Sequence, residues 1–368
     1  MIFSHSRTIP SDKLLHPVDL SSWRQWEAST RRRQRAMAPL RRVVSPFRPP
    51  AKDAQTILAV YGDAPKVLVV VDAVKSSLTA ALIRPVQLLL DAGVSTAVLS
   101  PASVTNSLPH RESWRAVPAS SSTLDASLCT VQATLSAGHY LSLGAMAYQW
   151  ATHHGVRFCV IQHGLLTPFM APLPPGAHLL SWSQQDADFW ISGRHDVTYE
   201  IIGSQLLWQA AQEPSVAVQP NARPEFLGQL HGVELGRAYM TRVSYDFCRH
   251  TGALYRPHPS EEDRISRLTH LLWERHGIEI DRSEVPLPQV HRPVVAVFST
   301  GILEAAARGV PAWQISAPMA GPASRTPTWL QAFHSRYSMS PWGGTPTPRP
   351  EILRTEPAHA VVHALTTT

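Results

Sequence analysis

The chain has 368 residues, 44% apolar and 16% charged, with a formal net charge of +6 and a pI near 9.5. This suits two ordinary domains with real cores and a basic surface. Cys129, Cys159 and Cys248 are too few and too widely spaced for a disulfide framework or a zinc pattern, and fit a reducing compartment. No signal-like segment opens the chain, and no apolar run reaches the roughly 18–20 residues that span a bilayer. The expectation is a cytoplasmic protein, soluble or peripheral at the inner face of the membrane.

Nearly all the positive charge is arginine; the lysines are Lys13, Lys52, Lys66 and Lys75. Residues 1–55 read as a basic, irregular N-terminal arm, with a helix over 22–36 and the cluster Arg31, Arg32, Arg33, Arg35, Arg41 and Arg42. Such a cluster suits an anionic membrane surface or a polyanion, or is a plain solvated arm.

From Lys66 the pattern turns α/β. An apolar run over 67–71 reads as a buried parallel strand ending at Asp72, followed by a helix over 78–92 and a strand over 94–99. A helix is expected at about 124–136, a short strand over 139–143 and a helix over 145–154 stopped by Gly155. Residues 156–161 read as a strand ending in Gln162-His163-Gly164. A proline-rich loop over 168–175, a strand over 177–182 and a helix over 184–191 follow. Residues 56–210 are thus expected to form one Rossmann-like domain, and 211–368 a second, joined by a linker near 208–224.

The alternation then restarts. A strand over 225–230 ends in His231-Gly232, before a helix over 234–250. A short strand over 253–255 ends in Arg256-Pro257-His258-Pro259, before a helix running to about 276. The run from Val294 ends in Ser299-Thr300-Gly301. A helix carrying Glu304 follows, stopped at Gly309. The tail over 320–350 is loop-rich, and a last helix is expected near 357–365.

In open α/β sheets ligands bind beyond the carboxyl ends of the strands. Asp72, Gln162-His163-Gly164, His231-Gly232, Arg256–Pro259 and Ser299-Thr300 all sit there. A helix N-terminus with two hydroxyls is an anion site in waiting, and Glu304 one turn on suits ribose hydroxyls. The same residues also make an ordinary cap. Two prolines fix Arg256 and His258 in defined directions, where both can hold a phosphate. An imidazole at His163 suits a general base.

In this order, Gln-His-Gly after a strand, Arg-Pro-His-Pro, and Ser-Thr-x-x-x-Glu-Ala-x-x-x-Gly-x-Pro resemble the GT-B-fold transferases of bacterial surface polymers. The likeness is to CDP-glycerol glycerophosphotransferases of teichoic acid synthesis and to bacterial sialyl- and polysialyltransferases, over roughly residues 140–315. It implies two Rossmann-like domains facing a cleft. The first would bind a glycan or lipid-linked acceptor, with Asp72, Gln162 and Gly164 near it and His163 as base. The second would bind a nucleotide-activated donor, CMP or CDP before UDP, through Arg256, His258, Pro259, Ser299, Thr300, Gly301, Glu304, His231 and Gly232. No metal and no other cofactor is implied, since helix amides, Arg256 and His258 would stabilise the leaving phosphate. The sequence departs from the glycerophosphotransferases in carrying Leu165-Leu166-Thr167 after Gly164, and Ser-Thr where they have Ser-Asp. It also lacks the acidic motif of the polysialyltransferases.

Three rival readings remain at this level. One is a non-catalytic module of the same fold, against which the four strand-end clusters argue. A UDP-sugar 2-epimerase would share the fold but need acidic groups in the cleft. A non-enzymatic, basic nucleic-acid-binding protein would need clustered charge, whereas the arginines outside 24–42 are scattered, so no specific nucleic acid is expected.

Overall fold

The computed structural model describes residues 12–36, 55–73, 76–214, 218, 222–230, 232, 234–283, 285–319 and 326–367. In chain order its main elements begin with α1 (Leu20–Ala36), β1 (Thr56–Tyr61), β2 (Val67–Val70), α2 (Arg84–Asp91), β3 (Thr96–Pro101) and β4 (Arg115–Pro118). Next come α3 (Ser121–Ser127), β5 (Ala133–Ser136), α4 (Ser142–His154), β6 (Arg157–Ile161), β7 (His178–Ser181), α5 (Gln184–Ile191), β8 (Thr198–Ile201) and α6 (Gln205–Gln212). The second half holds β9 (Glu225–Leu227), α7 (Arg237–Thr251), β10 (Leu254–Arg256), α8 (Arg264–Arg275), β11 (Val294–Ala296), α9 (Thr300–Ala307), β12 (Ala312–Gln314), α10 (Thr328–Arg336) and α11 (Pro357–Thr366).

These make two α/β sheets, each Rossmann-like, as the sequence leads one to expect. The first is ordered β4-β1-β3-β2-β5-β6-β7-β8. From β3 to β8 all neighbours are parallel, while β1 runs antiparallel to both β3 and β4 at one edge. Val67 to Val71 are fully buried, as a parallel strand covered on both faces must be. The second sheet, β10-β9-β11-β12, is parallel throughout. In each sheet the chain winds one way, then restarts on the other side of its first parallel strand. The switch points lie between β2 and β5 and between β9 and β11, where the connecting loops part and leave a crevice.

Two stretches depart from the sequence expectation. The tail over 320–350, expected as loop, carries the helix α10, whose Trp329, Leu330 and Phe333 are buried. Residues 124–143 are also built differently. In place of a helix over 124–136 and a strand over 139–143 stand the short α3, the strand β5 and a turn into α4. β5 is four residues long and half polar, so its pattern is weak. Pairing with β2 and β6 supplies what local sequence does not.

The arm is anchored rather than wholly irregular. Leu14 is buried in the first lobe's core. The Trp23 indole donates to the Phe169 carbonyl at 2.8 Å, and Trp26 stacks on the Phe169 ring, centroids 5.1 Å apart.

The last helix also lies elsewhere than expected. α11 leaves the second lobe and packs on α2 and β5, with Val361, Ala364 and Leu365 entering the first lobe's core. Glu356 at its start takes a two-pronged bond from Arg84 (2.6 and 2.9 Å) and a further one from Gln205 at 2.8 Å. The second lobe therefore does not run unbroken from 211 to the end of the chain.

Between the lobes, α6 packs against α9 on one side and against α11 on the other. On the far side of the junction, Tyr337 after α10 reaches into the first lobe. Its hydroxyl donates to Asp186 at 2.7 Å and accepts from the Leu166 amide at 2.8 Å. Asp186 is 2% exposed, and its other oxygen accepts from Gln162 at 2.8 Å. Arg336 lies over the Phe189 ring at 3.5 Å. Removing one donor from a buried carboxylate costs about 1–3 kcal/mol. Tyr337→Phe is therefore expected to lower stability by about that amount, read as a fall in the urea midpoint at unchanged slope.

Candidate functional site

The second sheet gathers its candidate residues at the switch point. Gln229, in the loop after β9, accepts from the Phe298 amide at 3.3 Å and donates to the Phe298 carbonyl at 3.5 Å. That pair bridges the loops after β9 and β11. The loop after β10 is tied to the loop after β9 by Glu261, which accepts from the Leu230 amide at 2.9 Å. Glu261 is buried and also bonded by Tyr255 and His270. The strand ends bearing Gly232, His258 and Ser299 are thereby held on one edge.

Within that edge, Ser299 caps α9, its hydroxyl accepting from the Gly301 amide at 3.1 Å. Thr300 follows, half-buried, in the first turn. His334 donates through Nε2 to the Val297 carbonyl at 2.6 Å and so fixes the backbone that enters the helix. Burial holds that imidazole down near 4, so it is neutral and keeps this role at ordinary pH. His258, half-buried, accepts at Nδ1 from the Ser260 amide at 3.1 Å. The neutral ring then carries its proton on Nε2. Pro259 is exposed in the turn, and Asp263 caps α8 through the amides of Ile265 and Ser266.

Other expected contacts fall out differently. Arg256 does not face the phosphate end. Its guanidinium runs back along the sheet to Glu225 at 2.9 Å and Asp281 at 3.6 Å, and donates to the Val285 carbonyl. Its strand partner is Leu227, so Glu225 lies two residues back toward the amino edge. Gly301 is held by packing, since a Cβ there would stand 2.4 Å from Leu227 and 2.8 Å from Leu287. At Gly232 a Cβ would meet Glu234 at 2.8 Å. His231 lies outside the described residues, as do Arg41, Arg42 and the side chains of Arg32, Arg33 and Arg35.

Glu304 sits on α9, the helix that faces α6. Burial pushes its carboxyl up to about 7, a rise that Arg308 offsets only in part. Arg308 is itself buried and donates to the carbonyls of Leu287 and Val290.

In the first lobe, His163 lines a tight crevice with Trp182, Gln205, Ser77, Pro85 and Pro357. Its free space is about 10 Å³, room for one water. One wall is a π turn at Thr79–Ile83, which leads through Arg84 into Pro85. Proline has no amide to continue the ordinary helical ladder, and a widened turn is how a helix passes it. Gln162, expected near an acceptor, is 1% exposed and serves as scaffold. Its oxygen accepts from the Trp182 amide and the Ser181 hydroxyl, and its amide donates to Asp186 and Gly164. A Cβ on Gly164 would meet only open space. Asp72 sits at the β2/β5 switch point. One of its oxygens accepts from the Leu143 amide at the start of α4, and the other is buried with no hydrogen-bond partner among the described residues. Burial raises its pKa.

Trp182, Gln229, Glu261, Tyr337 and His334 were not singled out from sequence. Only Glu261 carried a signal, as an acid in a run that precedes a helix.

The class this architecture defines is a two-lobed, Rossmann-like α/β protein. No protein-family model and no curated protein matches the chain. Among solved structures it is similar to a UDP-N-acetylglucosamine 2-epimerase from Rickettsia bellii, at 10% identity and a TM-score of 0.45, over 82% of this chain and 93% of the other. It is also similar to HepE of Anabaena, solved in complex with UDP and glucose, at 13% identity and a TM-score of 0.40, over 68% and 80%. A third similarity is to the glycotransferase of kitacinnamycin, at 15% identity and a TM-score of 0.42, over 83% and 91%. At these identities and scores the reaction and ligand of those proteins do not carry over to this chain.

The Glu304 carboxyl generates a pH prediction. Its pKa is about 7 in the folded state against an ordinary 4.5, so the folded protein keeps a proton that the unfolded chain releases. The stability this contributes is present below about pH 4.5 and is lost as pH rises through about 7. Glu304→Gln should flatten that part of the curve, measured as the urea midpoint against pH for both proteins.

Proposed function

We propose that this protein is a GT-B-type transferase that moves a glycosyl or polyol-phosphate group from a nucleotide-activated donor to a glycan or lipid-linked acceptor. The observation that carries this reading is the shared edge of the second sheet. There the N-terminus of α9, capped by Ser299, and the His258 turn stand on either side of the β9/β11 switch point, tied together by Gln229 and Glu261. Helix amides, the Thr300 hydroxyl and an imidazole N–H are donors suited to a departing phosphate. Glu304 is assigned to the ribose side, and cytidine nucleotides are favoured over uridine ones. Arg256 has no part, because its charge is already answered by Glu225 and Asp281.

In this mechanism His163 takes the proton of the acceptor hydroxyl as that oxygen attacks. The donor's phosphate leaves with its negative charge held by α9 and His258. The chemistry needs no metal ion. The crevice beside His163 is narrow, so acceptor entry requires Gln205 or Pro357 to give way.

The test is a thermal-shift panel of CMP, CDP, UMP, UDP and GDP. At about 100-fold excess over Kd a native-state ligand adds about 2.7 kcal/mol, a rise of several degrees. CMP or CDP is expected to give the largest shift, and Ser299→Ala or His258→Ala to reduce it. His163→Ala should keep the shift and lose transfer. No shift with any of the five nucleotides would sink the proposal.

A further inference from the structure

We propose that the solvent face of α8 docks on an anionic lipid bilayer. The helix turns Ser266, His270 and Trp273 into the second lobe. Arg264, Arg267, Leu268, Leu271, Leu272 and Arg275 are all exposed. Their spacing of three and four residues places them on one stripe of the helix. Leu268, Leu271 and Leu272 are 56%, 55% and 44% exposed, a contiguous patch where single exposed leucines are the rule. Arginines stand at both ends of that patch.

The carboxylates of the same helix are engaged elsewhere. Asp263 caps it and pairs with Arg237, while Glu274 pairs with Arg282. Glu262, exposed, lies outside the helix, ahead of its cap. The stripe is therefore apolar along its middle and cationic at its rims. That is the pattern which seats a helix at the boundary between anionic headgroups and acyl chains. A second copy of the chain is a poor occupant, because two such faces bring arginines against arginines. Among the described residues no helix is long and apolar enough to cross a membrane, so contact of this kind lies flat on the surface.

The stripe begins just after the turn that carries His258, since α8 starts at Arg264. Docking through α8 holds that turn near the headgroups, where a lipid-linked acceptor resides. This last link alone rests on the function proposed above.

The experiment is cosedimentation of the full chain with vesicles of phosphatidylcholine alone and of phosphatidylcholine mixed with about 30% phosphatidylglycerol. The protein is expected to bind the anionic vesicles and not the neutral ones. Binding should weaken as salt rises from about 0.1 to about 0.5 M. Leu268→Asp combined with Leu271→Asp should lower the binding constant about tenfold or more. Both positions are exposed, so the melting temperature and any nucleotide shift should stay as in the parent. Four results overturn the proposal. They are no binding by the parent protein, equal binding to both vesicles, full binding by the double variant, or self-association that the double variant abolishes. Substituting Arg31 and Arg41 by alanine is the control for the arm. Loss in that protein together with full binding by the double variant would assign membrane contact to the arm. Failure of the nucleotide panel with vesicle binding intact would remove the proposed reaction and leave the docking surface standing.

Discussion

The structure depends on a carboxylate that water scarcely reaches. Asp186 lies in the first turn of α5, where Ser183 caps the helix, and it gathers Gln162 from the end of β6 and Tyr337 from the second lobe. Burial raises its pKa, and those donors work against that rise. A buried carboxylate is tolerated only when its bonds are made, so the groups that make them are held firmly. Gln162 precedes His163, and Tyr337 follows the helix whose His334 supports the entry to α9. One acidic side chain thus ties the strand end that carries His163 to the segment that supports the entry to α9.

Around that link the two sheets follow one plan. Each is parallel at its centre and each has a switch point where its loops part. At the second, the loops are sewn by Gln229 and Glu261, leaving the helix N-terminus and His258 on one edge. At the first, Asp72 bonds the start of α4. An aromatic series from Trp26 through Phe169 and Trp329 to Phe298 runs from the arm across the lobe junction. Arm, junction and candidate donor edge are therefore packed as one apolar seam.

Much of the architecture was legible in the sequence because local rules decided it. β-branched runs marked β2, β6 and β11, Gly155 closes α4 in the left-handed region, and Ser299 caps α9. What was not legible depends on pairing. Arg256 read as a phosphate ligand because its strand end is the right one. Its direction follows from Glu225 on a neighbouring strand, and nothing in the local residues reveals that register. β5 was hidden by its length and polarity. Gln162 looked like a ligand because it precedes a histidine and a glycine, and only the arrival of Asp186, Trp182 and Ser181 makes it scaffold. The last helix was legible as a helix, but not the sheet that receives it.

That last helix has a mechanical consequence. The chain passes between the lobes once after α6 and again before α11, so the second lobe is tethered at two points rather than one. A body hung from a single strand can swing and twist in any direction. One hung from a pair can only rock about the line through both attachments. Gln205, at the start of α6, binds Glu356 and the Ala358 amide, so the second crossing is fastened to the head of the helix that leads into the first, at the wall of the His163 crevice. Movement of the second lobe against the first is therefore restrained beside His163, and the loops farthest from that pair of crossings have the longest reach.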